Sequence, residues 1–73
     1  MDKYTEIGER LKILREEYEL SQSKLGAFLK VSRHLISDWE DGRKRMNLQT
    51  LIDVCEFFDC SADFLLFGRS RND

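Results

Sequence analysis

Residues 22–41 read QSKLGAFLKVSRHLISDWED, and their spacing sets the kind of fold to expect. Ser21 offers an N-cap just before the run, and Leu25, Phe28 and Leu29 recur at helical spacing, so a short helix burying all three is predicted over about 22–29. Ser32 offers a second cap, and Leu35, Ile36 and Trp39 predict a second helix over about 33–41, stopped by Gly42. Two helices that cross steeply through a short turn need apolar residues at the joint and a small residue where the backbones approach. They also need polar residues on the outer side of the second helix. Leu25, Leu29, Val31, Ile36 and Trp39 meet the first need and Gly26 the second, while Arg33, His34, Ser37 and Asp38 are expected to point outward.

The pattern extends in both directions from this pair. Upstream, Ile7, Leu11, Leu14 and Tyr18 mark one face of a helix over about 5–18. Downstream, Asn47 is placed to cap a fourth helix over about 48–58, with Leu48, Leu51, Ile52, Cys55 and Phe58 on its apolar face. Ser61 opens a last short helix through Phe67, ended by Gly68. The chain holds no proline and 4 glycines, and no segment alternates as a strand would. The expected class is all-α, a compact five-helix unit forming a single domain over 1–73.

Composition limits what such a unit can do. At 73 residues one core supplies only about 3–5 kcal/mol, so function is expected on the surface rather than in a cofactor chamber. Apolar residues make up 41% and charged residues 36%, which fits a folded protein and not a disordered one. Two cysteines, Cys55 and Cys60, fall at apolar positions and read as packing thiols, and His34 is the single histidine, so no metal site is expected. No apolar stretch approaches the roughly 20 residues that span a bilayer, and the charged start MDKYTEIGER is no signal segment, so a cytoplasmic, membrane-free location is expected. With no phosphate-cradling glycine loop and no definable pair of catalytic carboxylates, the chain is not expected to be an enzyme, and no cofactor is expected.

Charge is the one feature that speaks against a nucleic-acid partner, since 12 Lys+Arg face 14 Asp+Glu for a net charge of -2. Its distribution reverses that impression. Residues 20–45 hold six cations and three acids, while the flanking segments are net acidic. Positive charge therefore collects on the helix pair and the loop after it.

Taken together, IGERLKILRE, LSQSKLGAFLKVSRHLISDWEDGRK and VCEFFDCSADFLLFG resemble the helix-turn-helix domains of the Cro and phage-repressor family, also called the XRE family of bacterial transcription regulators. The resemblance runs from about Ile7 to Gly68 and implies a lambda-repressor-like fold. It implies that the second helix of the motif, about Ser32 to Asp41, lies in the major groove of DNA. On that mapping Ser32, Arg33, His34, Ser37 and Asp38 are the candidates for base contact. Arg33 has the fork that suits guanine, Asp38 would accept from cytosine or exclude wrong sequences, and His34 would donate to a base or a phosphate. Gln22, Lys24 and the loop cations Arg43, Lys44 and Arg45 are the implied phosphate contacts. The pair Arg15 and Glu40 is implied as a structural clamp.

The chain departs from the family pattern at four places. Lys30 stands where glycine usually makes the turn, so it must take positive φ or use another turn. Met46-Asn47 replaces a proline, Asp38 stands where a basic or amide residue is commoner, and Asp59 follows the fourth helix where glycine is frequent. A module of this size is expected to bind a palindromic operator as a homodimer, two half-sites lying about 10–10.5 bp apart. Phe57, Phe64, Leu66 and Phe67 are the candidate dimer surface. The function implied is a sequence-specific transcriptional regulator, acting as a repressor. The alternatives are the antitoxin of a toxin–antitoxin pair with a protein partner, a restriction-modification controller, or a protein-interaction module that has lost DNA binding.

Overall fold

The computed structural model describes residues 2–69; Met1 and residues 70–73, which the sequence reading counts in the same domain, lie outside the described residues. Five helices follow one another: α1 (Lys3–Glu17), α2 (Gln22–Leu29), α3 (Arg33–Glu40), α4 (Leu48–Phe58) and α5 (Ala62–Phe67). They pack into a body of 30 × 24 × 21 Å, with no strand among the described residues.

Each helix starts at a side chain that accepts from the backbone N–H three residues on, replacing an intrahelical partner the first turn lacks. Ser21 Oγ accepts from Lys24 N–H at 3.0 Å, Ser32 Oγ from Leu35 N–H at 3.0 Å, Asn47 Oδ1 from Thr50 N–H at 2.8 Å and Ser61 Oγ from Phe64 N–H at 3.0 Å. The first helix begins earlier than its apolar periodicity predicts, at Lys3, because Asp2 Oδ1 caps Thr5 N–H at 2.8 Å. It also ends sooner, at Glu17, where Tyr18 becomes the C-cap and Glu19 turns left-handed with φ 56°.

The turn inside the motif resolves the question that Lys30 poses. Lys30 is left-handed, with φ 62° and ψ 41°, and Val31 N–H closes the turn on Gly26 C=O at 2.8 Å. Gly26 is required there: a Cβ on it would lie 2.7 Å from the Val31 carbonyl oxygen. Asp59 does the same after α4, with φ 52° and ψ 45°. Gly8 in α1 plays the matching part at the α1–α3 crossing, where a Cβ would run into the Trp39 carbonyl oxygen and stand 3.0 Å from that of Glu40. The two glycines thus let α1 and α2 come close to the backbone at the two ends of α3.

Leu11, Leu14, Leu25, Ile36, Trp39, Val54, Phe58 and Leu65 form the core, drawing on every helix. Four residues expected on the apolar faces are exposed: Tyr18 is 51% exposed, Phe28 58%, Leu48 73% and Ile52 42%. In α4 the buried line is Val54 and Phe58 with Leu51 half-buried, one helical line away from the 48–52–55 line, so the helix is rotated relative to the expected face. Phe28 lies outside the core against Phe57, ring centroids 5.1 Å apart. Cys55 and Cys60 are half-buried and packed against the core. Arg10 joins α1 to α5, donating from Nη1 to the Leu65 carbonyl at 3.0 Å. No helix among the described residues is long and apolar enough to cross a membrane.

Candidate nucleic-acid interface

The exposed end of the motif is built from the start of α3. Ser32, Arg33 and His34 are exposed, and Ser37 one turn later is half-buried on the same helix. These side chains are held in place from behind. Glu40, in the last turn of α3, is 5% exposed and takes two bonds from the Arg15 guanidinium, at 2.6 Å from Nε and 3.1 Å from Nη2. Arg15 also donates from Nη1 to the Leu20 carbonyl at 2.8 Å, and its guanidinium is held even more firmly protonated by the bond to Glu40. Such a bidentate, desolvated pair is geometrically specific, and it fixes α3 to α1.

The pair continues outward. Gln22 Nε2 donates to Glu40 Oε1 at 3.1 Å, and Gln22 Oε1 accepts from Arg33 Nη1 at 3.4 Å. A chain of polar contacts therefore runs from the interior, Arg15–Glu40–Gln22–Arg33, to the first residue of α3. Spacing alone hides this chain, because its members sit 25, 18 and 11 residues apart. Lys24 is exposed beside Gln22 at the start of α2.

Asp38 departs from the outward placement expected of it: it is 5% exposed and sits under the basic loop. Its Oδ1 accepts from Arg43 Nε at 3.1 Å, and its Oδ2 lies 3.7 Å from His34 Nε2 and 3.9 Å from Lys44 Nζ. Its backbone carbonyl accepts from the N–H of Arg43 at 2.8 Å and of Lys44 at 3.3 Å. The loop folds back because Gly42 takes φ 77°, which returns the chain toward α3. Arg43 reaches a second acid, Asp41, at 2.8 Å, and the two carboxylates raise its pKa, the bond to Asp38 contributing most. Arg45 instead lies over the Tyr4 ring, 4.1 Å from its centroid. The i,i+4 contact of His34 with Asp38 was legible as helix spacing, whereas the Asp38–Arg43 contact needs the Gly42 turn.

The arrangement offers one helix end with a hydroxyl, a guanidinium and an imidazole in the open, flanked by exposed cations. Over residues 6–65 the chain matches the family model described as a helix-turn-helix domain. It belongs to the helix-turn-helix family of the Cro and phage-repressor type. Within this family of transcriptional regulators it is 40% identical over 64 residues to the HTH-type transcriptional activator BcrR of Enterococcus faecalis, covering 88% of this chain and 31% of that protein. To Repressor protein C2 of Salmonella phage P22 it is 34% identical over 62 residues, covering 85% of this chain and 29% of that protein. The chain thus spans under a third of the length of either relative. The crystal structure of the P22 c2 repressor protein in complex with synthetic operator 9T superposes with a TM-score of 0.79 at 33% identity, covering 86% of this chain and 96% of that one. Helix-turn-helix members related to this chain therefore include both an activator and a repressor by name.

Proposed function

We propose that this chain binds duplex DNA sequence-specifically by laying α3 in the major groove, and that it regulates transcription as a repressor by occupying a palindromic operator as a homodimer. The observation that carries this is the likeness of the whole helical frame to a repressor solved on its operator, together with the exposed start of α3. Ser32, Arg33, His34 and Ser37 face the bases, with Arg33 the strongest discriminator because its guanidinium can bond guanine O6 and N7 together, worth about 1–3 kcal/mol. Gln22 orients Arg33, as their 3.4 Å contact suggests, besides lying close enough to the start of α2 to meet a phosphate. Lys24, Lys44 and Arg45 supply sequence-independent affinity along the backbone.

For the homodimer, the cleft between α4 and α5 is the better-supported surface. Leu48, Leu51, Ile52, Cys55, Leu65 and Leu66 contribute to its lining, and Leu48 and Ile52 are exposed. Phe57 and Phe64 are half-buried against the core, and Phe67 is exposed with the Arg69 guanidinium 5.1 Å from its ring centroid. Leu66 is the member of the earlier set that opens onto this cleft.

The test is a titration of labelled random duplex at two salt concentrations, followed by selection from a randomised pool. Affinity must fall with rising salt, and selection must enrich a two-fold symmetric site. Arg33→Ala should relax one position in each half-site, whereas a uniform loss over all sequences would make Arg33 a phosphate contact. No binding at low salt would overturn the function itself.

A further inference from the structure

Resting on the DNA-binding function proposed above, we infer that Asp38 is a specificity-determining residue that does not read bases: it is the internal counter-ion that holds Arg43 and Lys44 to α3 and keeps sequence-independent DNA affinity low.

The placement of Asp38 leads to this role. Its side chain is 7% exposed; Oδ1 accepts from Arg43 at 3.1 Å, and Oδ2 faces His34 Nε2 at 3.7 Å and Lys44 Nζ at 3.9 Å. A carboxylate in that position is poorly screened by salt, unlike an exposed one beyond the roughly 8–10 Å Debye length. It also stands among the groups that would meet the phosphates, so its charge subtracts from theirs where it matters. Asp41 adds to the effect by taking the other end of the Arg43 guanidinium at 2.8 Å. Of the three consecutive loop cations, Arg43 is thus bracketed by two acids and Lys44 faces one at 3.9 Å, while Arg45 lies on an aromatic ring and in no ion pair among the described residues.

The same contacts give the loop one geometry. Asp38 binds Arg43 through both its side chain and its main-chain carbonyl, so the loop cations sit at a set distance from the base-reading end of the same helix. When α3 is seated in its own site, cations held this way meet phosphates without further ordering. On a random duplex the loop cannot relocate to follow the backbone, and two of its three cations already face acids. Both effects widen the gap between operator and non-specific DNA.

Asp38→Asn keeps the shape and one acceptor for Arg43 while removing the charge. Binding is measured with a random duplex and with the duplex recovered by selection, each over a salt series, with circular dichroism to follow the fold. Random-duplex affinity is expected to rise about eightfold at 0.1 M salt, with a slope steeper by about 0.9, the value of one added phosphate contact. Affinity for the selected duplex should rise less, so their ratio narrows. A random-duplex affinity that is unchanged or lower, or an equal gain on both duplexes, overturns the inference. If Asp38→Asn does not fold, Arg43→Gln and Arg45→Gln decide. Arg45→Gln should lower the slope by about 0.9 and Arg43→Gln by clearly less, and equal losses overturn the inference. A native protein that binds no duplex at low salt fails the function instead, and the two failures are separable.

Discussion

Glu40 is buried in the last turn of α3 and accepts from both Arg15 and Gln22, so its carboxylate serves packing and orientation together. Removing one partner of a buried pair leaves the other charge out of water without an answer, a loss of about 3–5 kcal/mol. Glu40→Ala should therefore lower the urea midpoint sharply, a large share of the total for so small a core. Replacing both residues by apolar ones of similar size, Arg15→Met with Glu40→Leu, should cost far less, since the desolvation penalty disappears with the charges. The double variant separates roles: stability returns, but Gln22 loses its acceptor and Arg33 its support. Arg15 and Glu40 were visible as a pair only through the family resemblance, because 25 residues separate them. Gln22 is implied as a phosphate ligand by the family resemblance, and its bonds to Glu40 and Arg33 emerge only when the helices are assembled.

At the level of elements, the starts of the helices were legible and their orientation was not. Ser21, Ser32, Asn47 and Ser61 each cap the helix they precede, since a cap depends on residues within one turn. Asp2 lies ahead of the apolar period, which begins only at Ile7, although an Asp before a charged first turn is a cap signal too. The α2–α3 turn carries its own prediction. Lys30 occupies the left-handed region at φ 62°, which costs a non-glycine residue about 1–2 kcal/mol. Glycine avoids that cost but gives back about 0.4–1 kcal/mol through the freedom of the unfolded chain. Lys30→Gly is thus expected to stabilise the protein by roughly 0.5–1 kcal/mol, seen as a higher urea midpoint with an unchanged slope. The face of α4 could not be chosen from its sequence. Leu48, Leu51, Ile52, Val54, Cys55 and Phe58 cover two adjacent lines of an 11-residue helix, and either line satisfies a helical period.

For the whole molecule, that rotation of α4 decides which apolar residues remain for a partner. With Val54 and Phe58 inward, Leu48 and Ile52 are left beside Leu66 as one apolar cleft. Leu48→Asp is the clean probe of the proposed dimer. Leu48 is the first residue of α4 and 73% exposed, and an acid at a helix start is favourable, so the fold should hold. Sedimentation should show a monomer, and operator affinity should fall while random-duplex affinity per protomer changes little. A dimer that survives Leu48→Asp would move the interface elsewhere. Phe67→Asp should leave the dimer intact.

The charge balance follows the same division between near and far. The sequence determined that cations gather in 20–45, that five capped helices form, and that a tight turn joins the central two, because these depend on residues a few positions apart. Only the folded structure decided how those cations are spent. All three acids of that segment are paired: Glu40 answers Arg15 from α1, and Asp38 and Asp41 answer Arg43 across the Gly42 turn. Local rules act through bonds within a turn, whereas burial and ion pairing depend on which distant surface comes to lie opposite, and that is set by the packing of all five helices at once.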